Sequence, residues 1–236
     1  MDPARFIQIF ILQLGIGGIY FLFIAALILR RSQKNLNKIF SMFFISVAIG
    51  TIVNVIYATI SFEPLTNVVT FLHILTFYFF SLAQAFLLTF NLILLKSEAK
   101  INPKMQLIII GVYAAILSIL FIVGMLGGVQ LDPSTEWKPV WKLPFFLTSF
   151  LICIPTLIIP ILYLLVQIFQ EFQDEILKKK WKYFMVGVLL YFLMWFGTSI
   201  SNFLANDTVR NIWAIFAMIS LLATYAMYYG VGKQIE

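Results

Sequence analysis

The chain has 236 residues, of which 62% are hydrophobic and 11% are charged, and its formal net charge is +6. A soluble domain usually carries about 25% charged residues, so lipid is the expected solvent for a chain this apolar. The positive charge does not indicate nucleic acid as a partner, because the basic residues are confined to short connections between apolar segments.

Seven apolar stretches have about the 20-residue length that a spanning helix needs, and none contains Asp, Glu, Lys or Arg. They predict an all-α fold, a polytopic bundle of seven transmembrane helices that forms one domain over residues 1–236. The predicted spans are approximately 6–29, 39–60, 68–95, 105–129, 145–169, 183–204 and 212–230.

The basic residues are distributed unequally between the two sides of the predicted bundle. Short loops rich in Lys and Arg stay in the cytoplasm. Twelve of the sixteen basic residues fall in the connections after spans one, three and five and in the C-terminal tail. With seven spans, this predicts a multi-pass cell-membrane protein whose N-terminus is outside and whose C-terminus is cytoplasmic.

The segment after the fifth span keeps helical spacing of its apolar residues from Gln167 to Lys180. We expect a cytoplasmic extension of helix five, supported by i,i+4 pairs Asp174–Lys178 and Glu175–Lys179, and a tight turn near Lys180–Lys182. The loop between helices five and six is then a candidate docking face for a cytoplasmic signalling partner. A solvated helix end anchored by lysines is the alternative interpretation.

Polar residues within the spans are expected to face the interior of the bundle. In the third span they share an arc of about 140° on a helical wheel, with Thr89 alone opposite; they are Thr70, His73, Thr76, Ser81, Gln84 and Asn91. His73 lies near the outer end, where it would contact a ligand, sense pH or bond to another helix as a neutral histidine. The predicted ligand-binding residues are His73, Gln84, Asn54, Tyr57, Tyr191, Asn202 and Trp137, with hydrogen bonding between helices as the alternative role for the polar ones.

Two further features of the fifth span and its surroundings leave alternatives open. The longest outer connection, from Gln130 to Leu143, contains Trp137 and Trp141; it would either fold over the helix ends as a lid or place its tryptophans at the headgroup level. Pro155 and Pro160 in the fifth span each remove a backbone hydrogen bond. The span is then either a hinge or an ordinary membrane helix, since membrane helices tolerate proline.

Several chemistries are excluded by residues that the spans lack. A retinal Schiff base needs a lysine in the last span, and residues 212–230 contain none. A metal site needs several His or carboxylate ligands, whereas the chain has one His and no carboxylate within a span. We therefore expect neither an enzyme nor a bound cofactor or metal. The lone Cys153 is expected to act as a small buried hydrophobe.

Two stretches of the chain carry a resemblance to a known family. They are FFISVAIGTIVNVIYATISFEPLTNVVTFLHILTFYFFSLAQAFLLTFNLILLKSE and KKKWKYFMVGVLLYFLMWFGTSISN followed by RNIWAIFAMISLLATYAMYYGVGK. Together they resemble the seven-helix N-terminal sensor module of prokaryotic histidine kinases. The resemblance implies a sensor role, and because the sequence ends at Glu236 without an output domain, the signal would pass to a separate cytoplasmic partner.

The first functional hypothesis is therefore a stand-alone receptor or sensor that binds a small or lipid-like ligand from the outer side. The second is a transporter or channel for a neutral solute, whose path would be lined by the polar faces of helices two, three and six. A third hypothesis is an accessory subunit of a larger membrane complex.

Overall fold

The structure, a computed structural model, describes residues 14–15, 18–61, 63–216 and 219–232. The first predicted span lies partly outside this range, since residues 6–13 and 16–17 are not among those described. Arg5 and Lys233 also lie outside it. Within the described residues the chain is helical apart from its connections and one two-stranded hairpin.

Five of the described helices are long and apolar enough to cross a membrane: α2 (Asn35–Thr59), α3 (Thr66–Lys96), α4 (Pro103–Gly128), α5 (Leu143–Glu171) and α6 (Glu175–Leu204). They are preceded by α1 (Phe21–Arg31) and followed by α7 (Asp207–Phe216) and α8 (Ile219–Met227), which runs into a wide π-helical turn at Tyr228–Gly232. Strands β1 (Val129–Gln130) and β2 (Val140–Trp141) lie between α4 and α5. Short 3₁₀ turns occur at Glu63–Leu65 and Pro133–Thr135.

The helix boundaries follow from residues that pair the otherwise unbonded first N–H groups. At α4, the Asn102 side chain accepts a hydrogen bond from Met105 N at 3.0 Å, and Pro103 occupies the first turn, where its missing N–H costs nothing. At α6, Asp174 accepts from Ile176 N at 2.6 Å and from Leu177 N at 3.3 Å.

The cap at Asp174 corrects the predicted extension of helix five. Helix α5 ends at Glu171, the chain turns at residues 172–174, and residues 175–182 form the first two turns of α6. The predicted turn near Lys180–Lys182 is therefore wrong. Apolar spacing is helical on both sides of the true turn, so periodicity did not reveal it, whereas the capping preference of Asp marks it. Lys178 pairs with Glu175 at 3.1 Å instead of Asp174, whose carboxylate caps the helix.

Helices α2 and α3 pack closely along their length because a small residue lies at their crossing. A Cβ atom at Gly50 would lie 2.8 Å from Phe80 Cε1 and 3.0 Å from Thr76 O. This close approach lets the short Ser46 side chain donate to Phe79 O at 2.9 Å, so that α2 is bonded to the backbone of α3.

Helix α3 is the central element of the bundle. The six polar residues predicted to face the interior are buried, as expected. Thr89, predicted on the opposite face, is buried as well, because every residue from 83 to 91 is enclosed by neighbouring helices. Its hydroxyl donates to Ala85 O at 2.8 Å within the same helix.

The half of the bundle opposite the hairpin is filled by aromatic side chains, and the connections at that end carry the lysine and arginine clusters. Five phenylalanines there have no exposed surface: Phe40, Phe43, Phe44, Phe90 and Phe184. Phe40 stacks on Phe90 with ring centroids 4.6 Å apart. Aromatic packing of this kind fills the interior near the basic end with closely packed apolar side chains.

Helix α5 widens into a π-helical turn at Ile154–Ile158. In a regular helix the carbonyl of Thr156 would accept from the N–H of residue 160, which is proline and has none. The Tyr113 hydroxyl of α4 donates to Thr156 O at 2.7 Å instead. A side chain from a neighbouring helix thus supplies the hydrogen bond that Pro160 removes.

Replacing Tyr113 with Phe is expected to destabilise the protein by about 1 kcal/mol, because Thr156 O then loses its donor in an apolar surrounding. Thermal unfolding in detergent measures the effect. The matched control is Tyr163→Phe on α5. Tyr163 is 61% exposed, and its hydroxyl accepts an exposed hydrogen bond from Gln167 Nε2 at 2.6 Å within the same helix, so we expect a smaller loss than for Tyr113→Phe. Equal stability of Tyr113→Phe and the control would contradict this role of Tyr113.

Candidate functional site at the hairpin end

The connection between α4 and α5 forms a β-hairpin that covers one end of the bundle. Val129 pairs with Trp141 and Gln130 with Val140 in antiparallel register. The chain leaves α4 through Gly127, whose φ of +93° is a conformation that favours glycine. Val129, Leu131 and Trp141 are buried, so the hairpin has an inner face that packs on the helices.

The tip of the hairpin is ordered by Asp132. Its carboxylate accepts hydrogen bonds from the Ser134 hydroxyl at 2.6 Å and from the Ser134 and Thr135 N–H groups at 2.9 and 3.2 Å. The hydrogen bonds from Ser134, with those from Gln130 and Thr135, lower the pKa of Asp132 below its ordinary value. The tip is therefore held by a charged carboxylate at neutral pH.

His73 connects the hairpin to two helices. The Trp141 indole Nε1–H donates to His73 Nε2 at 2.9 Å, and His73 Nδ1 lies 3.2 Å from the Tyr57 hydroxyl oxygen. All three side chains are at least nine-tenths buried. Helix α2, helix α3 and strand β2 are thereby joined through one imidazole, which we call the His73 bridge (Tyr57, His73 and Trp141).

The donor and acceptor roles in the His73 bridge follow from the indole group. Because an indole N–H can only donate, His73 Nε2 must be the unprotonated, accepting nitrogen. A neutral imidazole then carries its proton on Nδ1, which donates to the Tyr57 oxygen. The bridge requires a neutral histidine, since protonation of Nε2 would place two donors against each other.

The hairpin is also attached to the start of α7. Lys138 Nζ lies 3.0 Å from Asp207 Oδ1 and 2.8 Å from Glu136 Oε2, and Arg210 Nη2 donates to Pro139 O at 2.6 Å. The Lys138 pair is exposed and contributes little stability. The Arg210 bond is half-buried and fixes the direction of the guanidinium group.

Of the two interpretations of the outer tryptophans, the lid agrees with the structure. Trp141 is 2% exposed and packs against Phe77 and Phe145, with ring centroids 4.6 and 4.8 Å away. Trp137 is half-buried and packs against the small apolar cluster of Tyr57, Val69 and Leu131. Trp141 is therefore not displayed to the surroundings as a belt residue would be.

Three of the seven predicted ligand-binding residues meet beneath the hairpin: His73, Tyr57 and Trp137. Asn54 lies one turn from Tyr57 on α2 and is half-buried, as is Asn202 on α6. The hinge prolines lie on α5, Pro155 within the wide turn and Pro160 in the second position after it. The hinge and ligand-binding roles of these residues stay predictions.

Gln84 and Tyr191 lie deeper in the bundle, away from the hairpin. The Tyr191 hydroxyl donates to Phe80 O at 2.6 Å, one turn of α3 from Gln84. Gln84 has no exposed surface, and its Nε2 and Oε1 have no hydrogen-bond partner among the described residues. An unpaired buried amide costs about 1–3 kcal/mol, so Gln84 lowers the stability of the bundle, and its ligand-binding role stays a prediction.

Two residues of the site were not predicted from the sequence as part of it. Trp141 was assigned to a lid or a membrane belt, and its bond to a histidine 68 residues away in the sequence has no local signal. Arg210 is one of the four basic residues that the charge pattern leaves on the outer side, two residues before the seventh predicted span, and no local pattern marks its bond to Pro139.

No protein-family model matches the chain, and neither a curated protein nor a solved structure is significantly similar to it.

The two hydrogen bonds of His73 are expected to be energetically coupled. Trp141→Phe and Tyr57→Phe each remove one bond, and each should lower the free energy of unfolding by about 1 kcal/mol. Because both act through one imidazole, the double variant should deviate from additivity by about 0.5 kcal/mol or more.

The matched control for this cycle is Trp181→Phe at the opposite end of the bundle. Trp181 is also 2% exposed, and its Nε1–H donates to Leu165 O at 2.9 Å, so the same chemical group is lost without a shared partner. Its effect should add to that of Tyr57→Phe. Additivity in both double variants, measured by reversible unfolding in detergent, would rule out a coupled bridge.

Proposed function

We propose that the chain is a seven-helix receptor or sensor of the cell membrane, with its N-terminus outside and its C-terminus in the cytoplasm. It binds a small or lipid-like ligand at the hairpin end and signals through a separate cytoplasmic partner. In this orientation the hairpin faces outward, and the clustered lysines and arginines of the α1–α2, α3–α4 and α5–α6 connections face inward, in agreement with the positive-inside rule.

The His73 bridge is the observation that carries this proposal. It is a buried polar site at the outer end, it joins α2, α3 and the hairpin, and it is covered by a segment anchored at few points. A ligand that competes for any of these hydrogen bonds shifts the position of the hairpin. Binding sites of this form, with apolar walls and few placed polar groups, are typical of small-molecule sites.

A displacement of the hairpin acts directly on α5, which begins two residues after Trp141. The wide turn at Ile154–Ile158 interrupts α5 midway, and turns of this type are frequent at functional sites. At the inner end, the chain passes through residues 172–174 into α6, where Trp181 bonds to α5. Helices α5 and α6 therefore provide a continuous route from the hairpin to the cytoplasmic connection between them, the proposed docking face.

The alternative of a transporter or channel has less support from the described residues. A solute path needs a polar or hydrated passage, whereas the inner half of the interior is filled by the five fully buried phenylalanines around Phe40 and Phe90. An accessory subunit would need no buried polar site beneath an outer lid.

The orientation can be tested with single cysteines placed at exposed positions at the two ends. Thr208→Cys at the start of α7 should react with a membrane-impermeant maleimide on intact cells, and Lys179→Cys at the start of α6 should react only after permeabilisation. Both residues are exposed, and native Cys153 is buried and serves as the unreactive background. Labelling of Lys179→Cys in intact cells would reverse the proposed topology.

The switch can be tested by measuring the distance between spin labels at Glu98→Cys and Lys179→Cys, two exposed sites at the inner ends of α3 and α6. Breaking the outer bridge with Trp141→Phe should change the distance distribution, by on the order of 2 Å for a helix shift. Lys138→Gln, which removes an exposed contact of the same hairpin, is the control and should leave the distribution unchanged. Identical distributions in all three backgrounds, with and without changes of lipid and pH, would refute the sensor mechanism.

A further inference from the structure

The Arg210 side chain is a half-buried cation at the outer site; Asp207 interacts with it electrostatically, but no carboxylate of the described residues forms a salt bridge with it. Its Nη2 donates to the Pro139 carbonyl. The neighbouring acid, Asp207, is paired with Lys138 instead. The Arg210 Nε atom is buried and has no hydrogen-bond partner within the described part of the chain. A desolvated charge with an unpaired donor is costly unless an anion accompanies it.

The guanidinium group is bonded to the same hairpin as the His73 bridge. Its Nη2 donates to the carbonyl of Pro139, two residues before Trp141, whose indole bonds to His73. The charges that act on Arg210 and His73 include Asp207, Tyr57 and each other. A guanidinium presents its N–H donors as a planar fork, which matches the two oxygens of a carboxylate. Asp207, in the same helix, forms its salt bridge with Lys138, and its side chain is 68% exposed.

Apolar side chains lie under the same hairpin. Tyr57, Val69 and Leu131 form a small buried cluster, and the half-buried Trp137 of the hairpin packs against it. An anion that carries a short hydrocarbon tail would satisfy the charge of Arg210 and place its tail against these side chains. An inorganic anion would pair with the charge of Arg210 but would make no apolar contact.

We propose that the outer site binds a monocarboxylate with a short apolar chain, whose carboxylate is held by the Arg210 fork beside Tyr57. This inference rests on the proposed function, because it names the ligand class of the same site. It assigns Arg210 a role beyond its structural bond to Pro139: the arginine is the anion-binding residue, and the hairpin carbonyl orients it.

The test uses the full chain in detergent with hexanoate as the probe and hexanamide, its uncharged analogue, as the matched ligand control. Hexanoate should raise the unfolding temperature of the wild type in a saturable manner, and hexanamide should not. Arg210→Gln should abolish the hexanoate effect. Arg210→Lys, which keeps the charge but loses the planar fork, should weaken binding about tenfold or more, the size expected for one charge-assisted hydrogen bond.

The protein control is Lys138→Gln, which removes the other attachment of the hairpin to α7 and should bind hexanoate like the wild type. If hexanamide stabilises the wild type as much as hexanoate, or if Arg210→Gln and Arg210→Lys both respond like the wild type, the carboxylate site is refuted. The ligand-free unfolding temperatures of the variants report separately on loss of the Pro139 bond.

The same samples separate this proposal from the sensor mechanism. Hexanoate binding that depends on Arg210 but leaves the Glu98–Lys179 label distance unchanged supports the carboxylate site and refutes the switch. A distance change in Trp141→Phe, together with no Arg210-dependent hexanoate binding, supports the switch and refutes the carboxylate site.

Discussion

Polar groups inside an apolar bundle must find hydrogen-bond partners within the protein, and this constraint explains the directed contacts between the helices. The short hydroxyl side chains largely satisfy it locally: Thr51, Thr89 and Ser199 each donate to a carbonyl four residues earlier in their own helix. Each of these hydroxyl groups is thereby paired within its own helix. Ser46 reaches another helix only because Gly50 brings α2 and α3 close together.

Long aromatic side chains with a polar end make the connections between elements. Among the described residues, seven of them donate a hydrogen bond to another element: Tyr78 to Ala114 O, Tyr113 to Thr156 O, Trp141 to His73, Trp181 to Leu165 O, Tyr191 to Phe80 O, Trp195 to Ser81 Oγ and Trp213 to Thr198 Oγ1. Each combines a large apolar surface with a single directed hydrogen bond. The elements are therefore joined by rigid aromatic links, and at His73 two hydrogen bonds to side chains of different elements converge on one imidazole that both donates and accepts.

Hydropathy and spacing predicted the helices and the buried faces well, since both depend on local composition. The five long spans begin and end within a few residues of their predicted limits, apart from the start of α6, and the polar face of α3 is buried as expected. The turn before Asp174 was missed because apolar periodicity is the same on either side of it. The links of Trp141 and Arg210 were missed because they join residues 68 and 71 positions apart, a separation that no periodic pattern encodes.

The bond between Tyr113 and the Thr156 carbonyl has a consequence for how this sequence can change over time. A residue other than proline at position 160 would restore a backbone donor, and the hydroxyl at position 113 would then lose its function. Conversely, a chain that loses the hydroxyl while Pro160 remains carries an unpaired carbonyl in the middle of its fifth helix. The two positions, on different helices, are thus expected to vary together among descendants of this chain, with the proline tolerated only where the phenolic oxygen is present.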